Sequence, residues 1–147
     1  MAAPPFTPLR SIAEVAPGAH DAIERMHVAA WDAVPANLLE LARLRIAAAL
    51  GAHDELAART PDTGVTEEQI AALDHAHSSA LFTPLERAVI AYADQYAVSV
   101  STITDEMVAP ITAELGSATT YELANALYAL DATMRLRLAL ARTLERA

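Results

Sequence analysis

Apolar residues recur at helical spacing along most of this chain, and this pattern constrains the fold more than any other feature. The clearest stripe lies near the C-terminus and consists of Leu123, Leu127, Leu130, Met134 and Leu138. A spacing of three and four residues places these side chains on one face of a helix. Ala and Leu are prominent and there are only 4 Gly, a composition that favours helices. The sequence contains no convincing strand pattern and therefore predicts an all-α fold.

Start and stop signals divide the chain into about six to seven helices. Thr66 opens TEEQ and Thr83 opens TPLE, and both match the capping box at a helix N-terminus. Asn37 and Glu40 match a third box, and Gly51 interrupts or ends the helix that it opens. The predicted helices span about 19–33, 37–50, 52–59, 66–78, 83–98, 104–115 and 119–147.

The last two predicted helices are separated at Gly116, after which Thr119 opens TTYE. The apolar stripe of the last helix is widened by Leu136, Leu140 and Leu144. A stripe this wide either covers the core or is buried against another subunit, and the sequence favours neither.

The 147 residues are enough for one domain with one core. Residues 1–18 hold four of the prolines and predict an extended N-terminal arm, while 19–147 form a single helical domain. The first ten residues lack a basic start followed by an apolar core, so we expect no signal peptide. No apolar run reaches about 20 residues, so we expect no membrane partner and a cytoplasmic location.

The balance of charge and the absence of cysteine limit the chemistry. A formal net charge of −9 repels phosphate backbones, so nucleic acid is not an expected partner. The chain has no cysteine, so it can form neither a thiolate nucleophile nor a disulfide.

Four segments occur in an order and spacing that carry a family resemblance. They are VPANLLELARLRIAAALGA, GVTEEQIAAL, SSALFTPLERAVIAYADQY and ANALYALDATMRLRLAL, and they cover roughly residues 34–140. As a set they resemble the carboxymuconolactone decarboxylase and alkyl hydroperoxidase D-like family. The resemblance implies an alkyl hydroperoxidase D-like helical bundle that assembles as a trimer or hexamer.

The resemblance also locates the segment where the active site of the peroxidase branch lies. That branch has a Glu twelve residues before a C-x-x-C, and a His four residues after the second Cys. On this chain these positions fall on Glu40, Ala52, Glu55 and Arg59. If a gap falls within the motif, His53 or Asp54 takes the place of the His. Both cysteines are missing in either alignment, so thiol peroxidase activity is expected to be absent.

The candidate catalytic residues are Glu40, His53 and Glu55. Glu40 could complete the capping box with Asn37, pair with Arg43 one turn away, or act as an acid or base. The catalytic role would require partial burial and a raised pKa. His53 and Glu55 either occupy the start of a helix, where acids are favoured, or move protons in the old redox pocket.

Four arginines are candidates for binding an anionic substrate, namely Arg43, Arg45, Arg59 and Arg135. Arg45 lies on an apolar stripe on the opposite face of its helix from Glu40, and must find a carboxylate or carbonyl there. Arg135 lies one turn from Asp131. For Arg45 and Arg135, an ion pair within the protein is the default interpretation. The functional alternative is that they bind a small anionic metabolite.

The histidines raise the question of a metal site. His20, Glu24 and His27 share a helical face. Asp74 and His77 have the same spacing as Glu24 and His27, with Asp in place of Glu. Bundles that hold two metal ions use paired motifs of this kind, but the further bridging carboxylates are not evident here. We therefore expect no metal and no cofactor.

Three functions remain open at this level. The first is a non-redox enzyme with decarboxylase- or lyase-type proton transfer on a small carboxylated metabolite, which predicts a pocket beside Glu40 with a cation facing into it. The second is a catalytically inactive, oligomeric binding or scaffold protein. The third is a metal-dependent oxidase or hydrolase that depends on the histidine motifs.

Overall fold

The computed structural model describes residue 14 and residues 16–144, with side chains as far as residue 141. Of the predicted arm, residues 1–18, only residues 14 and 16–18 lie in this part of the chain, and Pro17 and Gly18 belong to a helix and not to an extended segment. Within the described part of the chain the backbone is helical and contains no strand, which confirms the all-α prediction. The α-helices with described bounds are α1 (Pro17–Ala33), α2 (Ala36–Leu50), α3 (His53–Ala57), α4 (Glu67–Ala71), α5 (Pro84–Val98) and α6 (Asp105–Leu144).

Two predicted capping boxes are formed. The hydroxyl of Thr66 accepts from the backbone N–H of Gln69, whose side chain accepts in return from the backbone N–H of Thr66. Thr83 and Glu86 make the same reciprocal pair at the start of α5. However, α4 ends at Ala71 and is followed by a 3₁₀ turn, Leu73–His75, instead of continuing to 78. The turn places Leu73 in a small apolar cluster between α2 and α5, and this packing overrides the helical pattern.

The third predicted box, of Asn37 and Glu40, is wrong. Helix α2 begins at Ala36, directly after the extended Pro35, and has no side-chain cap. Asn37 therefore lies inside the first turn, where its side chain donates to the Oε1 of Glu86 on α5 at 3.2 Å. Gly51 ends the helix as expected, with a left-handed φ of 67° that favours glycine.

The two last predicted helices meet at Gly116 as expected, where a sharp change of backbone conformation kinks the element α6. This residue has φ 78° and ψ 162°, a combination that essentially only glycine adopts. Thr119 does not start a new helix, because helical structure already begins beyond the kink. Instead, the Oγ1 of Thr120 donates to the carbonyl of Gly116 at 2.8 Å.

Helix α2 forms the centre of the fold, between α5 and α6, while α1 packs on α6. Its side chains are buried on nearly every face, as expected for a helix enclosed by neighbours. The predicted stripe of α6 is buried in the same core at Leu123, Leu127, Leu130 and Met134, so these residues cover the core of their own chain. The burial of α2 carries two charged residues, Glu40 and Arg43, into the interior.

The length and apolar character required to cross a bilayer are not combined in any helix of the described residues.

Candidate functional site at Glu40 and Arg43

Glu40 and Arg43 form a buried ion pair on α2. Their side chains are only 1% and 3% exposed. The guanidinium donates from Nε to Oε2 at 2.8 Å and from Nη2 to Oε1 at 2.7 Å, a bidentate geometry that is strong and directional. Residues three apart on a helix are neighbours, so the backbone brings the two groups together. The ion pair, one of the three roles left open for Glu40, is therefore formed.

Thr60 completes the surroundings of the Glu40 carboxylate from the segment that follows α3. Its backbone N–H donates to Oε1 at 3.2 Å and its hydroxyl donates to Oε2 at 2.6 Å. Each oxygen of Glu40 thus accepts two hydrogen bonds, which is the full capacity of a carboxylate.

The rest of the Arg43 guanidinium binds the chain between α3 and Thr60. Nη1 donates to the backbone carbonyl of Glu55 at 2.6 Å, and Nη2 donates to that of Ala58 at 2.8 Å. Arg43 therefore joins residues 55–58 to α2 while it neutralises Glu40. We call Glu40, Arg43 and Thr60 together the α2 brace.

The charge state of Glu40 follows from these contacts. Burial raises the pKa of the carboxyl, but the hydrogen bonds and charge of Arg43, together with the two hydrogen bonds from Thr60, outweigh it and leave the pKa below its ordinary value. Glu40 is therefore ionised at neutral pH. The sequence had identified a raised pKa as the requirement for acid or base catalysis, and the pKa moves in the opposite direction.

A second ion pair lies beside the brace. The carboxylate of Glu55 is contacted by Nη1 of Arg137 and lies 3.6 Å from Nη1 of Arg43. Glu55 and Arg137 are each 17% exposed, so this pair lies nearer the surface than the brace. Burial, and then the charge of Arg43, lower the pKa of Arg137. Two arginines from different helices thus converge on one carboxylate.

Arg137 was not among the residues that the sequence singled out, although a signal was present. It lies on the core-facing side of α6, between the stripe residues Met134 and Leu138. A charged residue within an apolar stripe requires a buried partner, which is the argument that identified Arg45. The partner, Glu55, is 82 residues away in the sequence, so only the tertiary structure identifies it.

His27 is a buried histidine in the interface between α1 and the rest of the molecule. Its pKa is lowered from 6.5 to about 4, first by burial and then by the charges of Arg137 and Arg43. The imidazole is therefore neutral at physiological pH. The sequence had placed His27 in a possible metal motif with His20 and Glu24.

We expect His27 to make the protein less stable in acid. The native state resists protonation of this group, whereas the unfolded chain takes up the proton near pH 6.5, so stability falls as pH falls from about 6.5 to 4. A shift of this size corresponds to about 3 kcal/mol of unfolding free energy. Denaturant titrations across this range should show the loss, and His27→Phe should flatten it. The substitution His53→Gln removes an exposed imidazole and is the matched control; an equal flattening in that variant would contradict the assignment to His27.

Of the three candidate catalytic residues, two lie together in the structure and the third lies apart. Glu40 and Glu55 both contact Arg43, so they share one site. His53 lies at the start of α3 with an exposed side chain, outside the brace. Their proposed catalytic roles stay predictions.

The other three candidate arginines have partners within the described chain. Arg45 pairs with Asp94 and Asp74, both at 2.6 Å, which is the predicted default. Arg59 pairs with Glu67 at 2.8 Å on the surface.

Arg135 pairs with Asp131 at 2.8 Å, again the predicted default. Its Nη2 also donates to the backbone carbonyl of Ala97 at 2.6 Å, which links α6 to the end of α5.

On α1, possible ligand atoms of His20, Asp21 and Glu24 lie within 4.8 Å of one another, and the His20 side chain is only 15% exposed. Asp21 and Glu24 also line a surface concavity of about 600 Å³, to which none of the candidate catalytic or substrate-binding residues contributes. His27 does not belong to this cluster.

A scan against protein-family models and a search of the curated proteins found no match to this chain.

Proposed function

We propose that this chain is a cysteine-free relative of the carboxymuconolactone decarboxylase and alkyl hydroperoxidase D-like family that acts by assembly and binding, without catalysis. One observation carries the proposal: the carboxylate of Glu40 accepts four hydrogen bonds, all from Arg43 and Thr60 of its own chain. The resemblance assigns the proton-relay position of the peroxidase branch to Glu40. With that carboxylate committed to the α2 brace, and with no thiol in the chain, neither part of the redox site is available.

Proton transfer at Glu40 is disfavoured for two physical reasons. An efficient general base has a pKa near the working pH, whereas Arg43 and Thr60 hold the pKa of Glu40 low. A substrate would also have to displace one of the four hydrogen bonds to reach an oxygen. In the same way, the guanidinium of Arg43 is surrounded by acceptors of its own chain, so it is a poor anchor for a substrate carboxylate.

A decarboxylase- or lyase-type enzyme is the second candidate, because Arg43 and Arg137 converge on the half-buried Glu55. In such an enzyme, the carboxylate of a small anionic metabolite would replace that of Glu55. Two arginines could hold it through charge-assisted hydrogen bonds.

Carboxyl ¹³C NMR of the full chain tests the proposal directly. The resonance of Glu40, identified by its loss in Glu40→Gln, is expected to show an ionised carboxylate from neutral pH down to 4.5. Titration of Glu40 near neutral pH would overturn the structural role of the α2 brace.

Assays of turnover provide the second test. We expect no decarboxylation of carboxylated lactones and no reduction of organic hydroperoxides with a dithiol donor above the uncatalysed rates. Lactone turnover that disappears in Arg137→Met would replace the proposal with the second candidate.

A further inference from the structure

The face of α6 opposite the core carries large side chains that are exposed. Tyr121 and Tyr128 are 68% and 60% exposed, and the side chain of Arg135 is 51% exposed. These residues are spaced seven apart, so they lie in one row along the helix. Tyrosine and arginine are enriched in protein interfaces, because each combines a large contact area with a polar group.

The neighbouring positions on this face leave room for a second helix. Ala132 and Ala139 are small, and Asn125 is short and polar. The distance between packed helices is set by the side chains at their contact, so small residues between the tyrosines permit close approach. We call this surface the α6 row, consisting of Tyr121, Asn125, Tyr128, Ala132, Arg135 and Ala139.

We infer that the α6 row binds the same surface of a second copy of this chain, with the two helices antiparallel and a two-fold axis at Tyr128. In such a contact each residue faces the residue equally far on the other side of the axis. Tyr121 and Arg135 are each seven residues from Tyr128, so Tyr121 of one copy faces Arg135 of the other. The two copies of Tyr128 meet at the axis.

The chemistry of the facing residues is complementary. Arg135 is held in place by Asp131 and by the carbonyl of Ala97, which fixes its guanidinium before a partner arrives. A guanidinium held in this way can stack on the ring of Tyr121 in a cation–π contact, and the symmetry makes two such contacts. The facing Tyr128 rings can pack as an offset or edge-to-face pair.

One further feature fits a second copy. Val98, which is 76% exposed, follows the Ala97 that binds Arg135. It therefore lies at the end of the row that receives Tyr121 of the other copy, where the aromatic ring would cover it.

This inference rests on the proposed function, in which assembly replaces catalysis, and it names the surface and the partner.

The absence of cysteine makes a cross-linking test free of background. Under mild oxidation, Tyr128→Cys is expected to form a disulfide-linked dimer, because its two copies meet at the axis. Tyr121→Cys is the matched control: its two copies would lie about 21 Å apart along the helices, too far for a disulfide. It should cross-link only when mixed with Arg135→Cys. Self-cross-linking of Tyr121→Cys as readily as Tyr128→Cys would overturn the inference.

Sedimentation equilibrium of the full chain provides an independent readout. Tyr128→Glu places two like charges at the axis and should raise the dissociation constant of this contact at least about tenfold. Tyr128→Phe should retain the assembly, and circular dichroism should show that both variants are folded. A wild-type chain that is monomeric, or an assembly that Tyr128→Glu leaves unchanged, would overturn the inference. If the wild-type chain assembles and Tyr128→Glu has no effect, the inference is wrong but the proposed function is not contradicted. Turnover by the wild-type chain would contradict the proposed function, independently of the cross-linking results.

Discussion

Glu40→Ala is expected to lower the free energy of unfolding by about 3–5 kcal/mol, because it leaves the buried guanidinium of Arg43 without its carboxylate. The hydroxyl and backbone N–H of Thr60 lose their acceptor in the same substitution. The free energy of unfolding can be measured by guanidinium chloride denaturation at neutral pH, followed by circular dichroism.

The exposed pair of Arg59 and Glu67 supplies the control for this prediction. Glu67→Ala removes a carboxylate with the same type of partner, but one in contact with solvent, where an ion pair contributes little to stability. We expect its effect to be much smaller than that of Glu40→Ala. Equal losses in the two variants would show that burial does not strengthen the α2 brace.

Arg43→Met is expected to cost a similar amount, about 3–5 kcal/mol, and also to change how stability depends on pH. In the wild-type protein the pKa of Glu40 is lowered, so the contribution of this carboxylate is present above pH 4.5 and is lost as pH falls through the folded-state pKa. Without Arg43, burial becomes the dominant influence and should raise the pKa of Glu40 above 4.5. The variant then gains stability from protonation of Glu40 as pH falls.

The measurement is the difference in unfolding free energy between wild type and Arg43→Met from neutral pH down to 4.5. The charge of Arg43 also lowers the pKa of His27, so both proteins carry His27→Phe in this comparison. The difference then reports chiefly on Glu40, and we expect it to narrow as pH falls. Arg45→Met removes an arginine of the same helix whose partners, Asp74 and Asp94, are largely or partly exposed, so its difference from wild type should stay nearly constant. A difference that also stays constant for Arg43→Met would contradict the prediction.

The contrast between Glu40 and Asn37 shows which contacts the sequence could predict. The spacing of Glu40 and Arg43 on one helix made their ion pair one of three open alternatives, because three residues along a helix correspond to about one turn. The same type of local pattern gave a wrong prediction at Asn37, since it could not show that the helix already begins at Ala36, directly after Pro35. The side chain of Asn37 instead bonds Glu86, 49 residues away.

The candidate site illustrates the same limit on a larger scale. Gly51 predicted where α2 ends, and the resemblance pointed to the segment 40–59. Neither predicted that Thr60 would return to bind Glu40, or that Arg137 would reach Glu55 from α6. These contacts depend on how the helices pack, and a pairing between distant residues leaves no periodic pattern in the sequence.

By itself, the sequence determined that this protein is helical, where most of its helices begin and end, and that it has no thiol chemistry. These properties follow from interactions within a few residues, namely capping bonds, helical periodicity and the conformational freedom of glycine. Only the tertiary structure decided that Glu40 is a saturated, ionised carboxylate, that His27 is neutral, and that the α6 row is exposed. These properties depend on which residues are buried and, for Glu40 and His27, on which charges lie nearby in space. The long-range packing of the helices sets both the burial and the distances between charges.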